Sequence, residues 1–273
     1  MSGGKPAAAR RAAALRLDDV GAASKQNEVY GITRIRIGPL RVPFPGNFLF
    51  LKYLPPIKRW GPYPEMSAAQ WEWVLGVLEA TGARMTVGVT AGWVESDGRV
   101  TPFPRKAPEA AAAIRRGVDR GVLEVANHGY THCVLQDRLY RPRLFAGNRT
   151  YHREFHDWLS EEIHREHVAR AQGILQEFFG VAVLTFVPPG NVFSKATLAA
   201  AAAAGLRYVS CLDPGRWGAV EGITFVDDGD VASLHDRDIV KHPGAFARLL
   251  RERVDAPFVT VREIGERLEA ARR

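Results

Sequence analysis

Short apolar runs alternate with amphipathic, well-capped segments along most of this chain. That alternation restricts it to a parallel sheet or barrel, because parallel strands need long crossovers that are usually helices. The runs fall at Ala14–Leu17, Met85–Val89, Val122–Ala126, Val181–Val187, Tyr208–Leu212, Ile223–Val226, Val231–Leu234 and Phe258–Val261. Between them the spacing predicts helices over Ser67–Thr81, Pro108–Arg120, Ser160–Phe179, Ser194–Ala204, Gly244–Arg253 and Arg262–Ala271. Ser67 suits an N-cap, Trp71, Val74, Leu75 and Leu78 form an apolar stripe, and Gly82 supplies the stop. Gly121, Gly180 and Gly205 end three others in the same way. No repeat or linker divides the chain, so one domain is expected over residues 1–273. Two stretches have no period: Gly21–Tyr63, rich in proline, glycine and aromatics, and residues 133–152, rich in Arg and Tyr. A long irregular stretch inside a compact domain is commonly a functional lid, and about 21–63 is expected to be one.

Composition narrows the class. The chain has 273 residues, 46% hydrophobic and 25% charged, as in ordinary globular proteins. No apolar run approaches the roughly 18 residues a membrane helix needs, so no membrane span is expected. Met1–Arg11 is small, basic and polar, without the apolar centre of a secretory signal. Two cysteines, Cys133 and Cys211, give no disulfide framework, and a cytoplasmic protein with reduced, buried thiols is expected. The formal net charge is +7. The basic residues are dispersed apart from Arg10–Arg16 and Arg267–Arg273, and no aromatic–basic stripe marks a nucleic-acid platform. No nucleic-acid partner is expected; a phosphorylated or carboxylated substrate suits the charge.

Two strand ends carry chemistry. Val122–His132 reads Val-Leu-Glu-Val-Ala-Asn-His-Gly-Tyr-Thr-His, placing His128 and His132 after an apolar strand. Leu15–Asp19 reads Leu-Arg-Leu-Asp-Asp, a strand ending in two carboxylates. Two imidazoles and one carboxylate can hold a catalytic divalent metal with positions open for water and substrate. The remaining carboxylate can serve as general base. Gly129 stands where a metalloprotease His-Glu-x-x-His motif has its glutamate, which excludes that motif. Taken singly, Asp-Asp is as well read as a turn or cap, and the histidine pair as a metal-free loop. In parallel barrels the chemistry collects at the C-terminal strand ends, where Asp18, Asp19, His128, Pro188–Pro189 and His235 all fall.

Six segments in this order resemble the polysaccharide deacetylases of carbohydrate esterase family 4. Leu15–Asp19 is similar to the family's first motif and Ala83–Val89 to its second strand. Leu123–His132 resembles its His-Glu-Ile-Gly-Asn-His-Gly-Tyr-Thr-His segment. Phe186–Gly190, Ser233–Asp236 and Phe258–Ile264 resemble the later motifs. The resemblance implies an α/β fold, a distorted (β/α) barrel, and a metal-dependent hydrolase that removes acetyl groups from a sugar. It implies Asp18 as general base, Asp19, His128 and His132 as ligands of one divalent metal, zinc first among candidates, and His235 as general acid. The backbone N–H of Gly190 would bind the oxyanion, where the family usually has an aromatic residue.

One departure stands out. The family usually has arginine at the position of Val187, where it orients the catalytic aspartate; valine cannot, and another arginine would have to substitute. His242 competes with His235 as the acid, but His235 ends an apolar strand. His152 and His156 have i,i+4 spacing and could bind metal, but for them, as for His164 and His167 in or near the same helical stretch, an exposed helical face is expected. Tyr30, Trp60, Tyr63, Trp93 and Trp217 could stack on sugar rings or simply pack. The expected activity is removal of an acetyl group from an N-acetylated sugar or glycoconjugate. The alternatives are hydrolysis of a non-sugar amide, or a non-catalytic barrel that only binds glycans. Substrate identity and oligomeric state stay open.

Overall fold

A computed structural model describes residues 13–48, 50–135 and 153–272. Met1–Arg11, His152 and nearly all of the second irregular stretch lie outside the described residues. The centre is a seven-stranded, all-parallel sheet. Its strands are β1 (Ala14–Val20), β2 (Met85–Val89), β3 (Leu123–Asn127), β4 (Thr185–Phe186), β5 (Tyr208–Cys211), β6 (Thr224–Asp227) and β7 (Val231–His235). They pair in the order β6-β5-β4-β3-β2-β1-β7. The two edge strands are consecutive in sequence, joined through the turn Asp228–Asp230, without a hydrogen-bonded seam between them. The sheet is therefore a curled, incompletely closed barrel, as expected from the alternation.

Eight helices are described: α1 (Ala68–Thr81), α2 (Phe103–Lys106), α3 (Pro108–Asp119), α4 (Glu161–Phe179), α5 (Lys195–Ala203), α6 (Asp236–Lys241), α7 (Pro243–Arg251) and α8 (Val261–Ala270). Ser67 accepts from Gln70 N–H while the Gln70 side chain accepts from Ser67 N–H, and Gly82 closes α1 in the left-handed region. Ser160, Ser194 and Thr260 cap α4, α5 and α8. The stripe Trp71, Val74, Leu75 and Leu78 packs with Val87, Ile114 and Leu123 in the main core. Cys133 and Cys211 are buried; burial pushes the Cys211 thiol up to about 12.

Three expectations need correction. The run at 258–261 is not a strand: Val259 makes a single parallel bridge to Ala14, and Thr260 already caps α8. The run at 181–187 contributes only Thr185–Phe186 to the sheet. The segment 21–63 is not wholly irregular. It contains two antiparallel ribbons, Tyr30–Gly31 with Lys58–Trp60 and Arg34–Ile37 with Leu40–Pro43. They are too short to show a period in sequence.

The base of that segment is fixed by charge. Lys25 is 2% exposed. Its ammonium pairs closely with Asp236 and lies 2.8 Å from Glu65, and the Tyr63 hydroxyl donates to Asp236 at 2.9 Å. The Arg237 guanidinium covers Trp60 at 4.4 Å, and Trp60 stacks on Tyr30 at 5.3 Å. A buried ion pair stripped of one partner leaves an uncompensated charge, at a cost of about 3–5 kcal/mol. Lys25→Met is expected to lose about that much in denaturant unfolding. The double variant Lys25→Met/Asp236→Asn should recover part of it; equal stability of wild type and Lys25→Met would refute the burial argument.

Candidate metal and catalytic site

β1 sets up the site through an irregularity. Its register against β2 shifts between Leu17 and Val20. Pleating alone would turn Asp18 and Asp19 to opposite faces; the shift re-aims one of them, as bulges do. Asp19 has φ +70°, in the left-handed region that a residue with a Cβ rarely adopts. His132, at the far side of the site, has φ +57°. Such conformations cost about 1–3 kcal/mol each and persist where the surroundings impose them.

The surroundings of His132 are explicit. Glu154, fully buried, accepts hydrogen bonds from the N–H groups of Tyr130 (3.0 Å), Thr131 (3.2 Å) and His132 (2.9 Å). Its carboxylate also meets His167 Nδ1 at 2.6 Å. Gly129 is required beneath it: a Cβ there would sit 2.2 Å from Glu154 Oε2. On β2, Gly88 lets two functional side chains approach, since a Cβ would lie 3.3 Å from the His128 ring and 3.5 Å from Asp18 Oδ1.

Asp19 Oδ1 lies 3.6 Å from His128 Nε2 and 3.1 Å from His132 Nε2. One donor atom from each residue falls within a 4.8 Å cluster. Nε2 of His128 and both ring nitrogens of His132 are sealed from solvent without a formed hydrogen bond. Buried polar atoms left unpaired cost about 1–3 kcal/mol each. His128 Nδ1 is already used, at 2.7 Å from the carbonyl of Val187, which directs Nε2 to Asp19. The separations suit donors sharing one ion at about 2.0–2.2 Å, and the mixed N/O set suits zinc or a similar divalent metal. Burial, the largest influence on Asp19, works against its charge. The imidazoles of His235, His128 and His132 around it outweigh burial and hold the carboxyl well below its ordinary range.

Asp18 is held by Arg16. The guanidinium Nε donates to Asp18 Oδ1 at 2.8 Å and Nη2 to Oδ2 at 3.0 Å, a bidentate fork. Nη1 reaches across the curled sheet to Ser210 Oγ and Asp228 Oδ1, each at 2.6 Å. Arg16 thus makes to Asp18 the kind of contact that valine at position 187 cannot make. The signal was in the sequence: residues two apart on a strand share a face.

His235 stands beside Asp18 in the β1–β7 register. Its Nε2 is 3.8 Å from Asp19 Oδ2, and its backbone N–H donates to Asp238 at 3.1 Å. Burial lowers its pKa most; Asp19, Asp238 and Asp18 together raise it above the ordinary imidazole value. His242 is exposed between α6 and α7 and accordingly stands apart from this cluster. Gly190 has φ +59°, and Arg153 occupies the space a side chain there would need, 2.9 Å from an added Cβ. The remaining histidines differ from the exposed helical face expected. His164 is buried between Thr197 Oγ1 and the carbonyl of His156, His167 pairs with Glu154, and His156 precedes α4. Glu154, Asp228 and Lys25 were not singled out from the sequence, where no motif marks them.

A sequence model of the polysaccharide deacetylase family matches residues 61–209. More than half of the chain is covered, and the chain belongs to that family. His128, His132 and Gly190 lie within the matched span, whereas Asp18, Asp19 and His235 lie outside it. No curated protein matches the sequence. Among solved structures, the chain is similar to a CE4 family pseudoenzyme from Bacillus anthracis, with 13% identity over 71% of this chain and 63% of that one and a TM-score of 0.42. It thus spans a little under two thirds of that relative. It is similar also to a family 4 acetyl xylan esterase from Clostridium thermocellum in complex with a cobalt ion (18%, 73% and 85%, TM-score 0.43). A third is the Xyl-CE4 domain of a multidomain xylanase from the hindgut metagenome of Trinervitermes trinervoides (18%, 76% and 87%, TM-score 0.46).

The donor set yields a direct expectation. Zinc added to metal-free protein should raise the melting temperature, because a ligand that binds only the folded state stabilises it. His128→Ala/His132→Ala should abolish both the shift and bound metal in elemental analysis; full occupancy in that variant would exclude this site.

Proposed function

We propose that the protein is a metal-dependent deacetylase that hydrolyses the acetyl amide of an N-acetylated sugar or glycoconjugate. The observation that carries the reading is the Asp19–His128–His132 cluster, with its unpaired buried nitrogens, beside a second carboxylate fixed by a guanidinium fork. A divalent metal bound there, zinc by preference, would polarise the acetyl carbonyl and lower the pKa of a bound water.

The chain's own groups supply the rest. Asp18, oriented through both oxygens, takes the proton of the attacking water. His235, within reach of Asp19 and charged more readily than a free imidazole, delivers a proton to the departing nitrogen. The backbone N–H of Gly190 is the candidate donor to the oxyanion. Arg16 touches no reacting atom; it positions Asp18. The missing arginine at 187 made a non-catalytic barrel conceivable, and the Arg16 fork on Asp18 supports the catalytic reading instead. Two buried cysteines fit a reducing, cytoplasmic setting.

Acetate release from N-acetylated sugars by the zinc-loaded protein is the test. Asp18→Asn should keep metal while turnover falls about 10²–10⁴-fold. If Asp18→Asn loses metal as fully as Asp19→Asn, base and ligand are misassigned. Arg16→Lys keeps the charge but not the fork. It should keep metal and KM while kcat falls about 100-fold, as a misplaced group costs. Unchanged kcat in Arg16→Lys would deny the positioning role.

A further inference from the structure

The segment between Glu28 and Glu65 is chemically unlike the rest of the chain. Residues 29–64 contain Arg34, Arg36, Arg41, Lys52, Lys58 and Arg59 and no Asp or Glu. Their net charge is +6 because acidic residues are missing here, not because basic ones are crowded. The same segment also exposes apolar side chains. Ile37 is 60% exposed, Leu40 65%, Phe48 59% and Phe50 57%, with Tyr53 and Leu54 beside them in sequence. Four large apolar side chains this exposed within 14 residues point to a contact with something else.

The ribbon Arg34–Ile37/Leu40–Pro43 sorts these groups by face. Arg36 pairs across the strands with Arg41 and Arg34 with Pro43, while Ile35 pairs with Val42 and Ile37 with Leu40. Pleating puts the first set on one face and the second on the other. The result is a ribbon with arginines on one side and aliphatic residues on the other, its tip turned by Gly38 at φ +57°. Among the described residues no third strand is paired with it. Its base is firm: Gly31 and Gly46 meet backbone to backbone, where a Cβ on Gly31 would lie 2.0 Å from Gly46 O. Gly31 N–H donates to Asn47 Oδ1 at 2.7 Å.

We propose that this segment seats the protein on an anionic lipid bilayer, with Ile37, Leu40, Phe48 and Phe50 entering the interface and the flanking arginines and lysines meeting phosphate headgroups. Exposed aliphatic and phenyl side chains on a segment that also carries an unneutralised cationic face are the composition of interfacial anchors. A nucleic acid would not reward exposed Ile and Leu, and an acidic protein would not require them. No helix among the described residues is long and apolar enough to cross a membrane, so the protein would lie on the surface. Residues 21–28 link the end of β1, just past Asp19, to this segment, which returns through Trp60 and Tyr63, in contact with Arg237 and Asp236 beside His235. Resting on the deacetylase reading, this places the reacting group at headgroup level, and the substrate class becomes an N-acetylated sugar carried on a lipid.

Co-sedimentation tests the anchor without reference to activity. Wild type should pellet with mixed phosphatidylglycerol–phosphatidylcholine vesicles, less so at high salt, and stay in solution with phosphatidylcholine alone. Arg36→Gln/Arg41→Gln should weaken binding about 25-fold, at about fivefold per arginine. Ile37→Ser/Leu40→Ser should abolish pelleting. Both variants should keep the wild-type melting temperature and metal content. Wild type left in solution with both vesicle types, or both variants pelleting like wild type, would overturn the proposal. So would light scattering that shows a wild-type dimer broken by Ile37→Ser/Leu40→Ser, since the apolar face would then belong to a second copy. Vesicle binding without acetate release from any lipid-carried sugar would sink the substrate reading and leave the anchor standing.

Discussion

The buried guanidinium of Arg16 is the interaction on which the rest of the site depends. A charge sealed from water is tolerated only when its hydrogen-bonding groups are matched and a counter-charge lies close. Here it is matched twice, by Asp18 on its own strand and by Asp228 on the turn between the two sheet edges. Burial, the largest influence, favours the neutral form, yet the two carboxylates keep the group more firmly charged than in water. Because β6 and β7 share no ladder, this side chain ties across the interior what backbone hydrogen bonds do not. It also commits the region to an excess of carboxylates. Asp18 and Asp228 share one guanidinium, Asp236 and Glu65 share one ammonium, and Asp19 faces only imidazoles. A divalent cation held there would offset that excess, so the electrostatics and the orphaned imidazole nitrogens point the same way.

Local strain is concentrated where the donors are. Asp19 and His132 are two of four non-glycine residues with positive φ among those described. Neither conformation is favoured by the residue itself. At Asp19 it follows from the slip in the β1–β2 register, and at His132 from Glu154, whose carboxylate gathers three consecutive N–H groups. Preorganisation of this kind comes from backbone groups and buried charge, which hold more narrowly than side-chain packing alone.

Much of this was legible in the sequence, and the limits have physical causes. Capped helices with a clear stripe, such as Ala68–Thr81, were readable because capping and periodicity act within one segment. The ligand triad was readable because its histidines share one loop and its carboxylates end one strand. The ribbons within 21–63 were not, since strands of two to four residues leave no period to detect. Glu154 was not, since its role is to accept N–H groups from residues more than 20 positions away. The run 258–261 misled because a lone apolar stretch signals burial, which it has, and not pairing, which it lacks beyond one bridge.

Moving the orienting arginine from position 187 to position 16 changes what fixes the base. An arginine at 187 would act from β4 and the turn after it, so its distance to Asp18 would depend on how the two strands between them, β2 and β3, are stacked. Arg16 and Asp18 are two residues apart on β1, and the pleat of one strand sets their separation. Position 187 is then free for another use: its side chain is buried, and its carbonyl takes the Nδ1 of His128 at 2.7 Å. The base is thereby oriented from within its own strand, the imidazole from across the sheet, and neither contact has to compromise for the other.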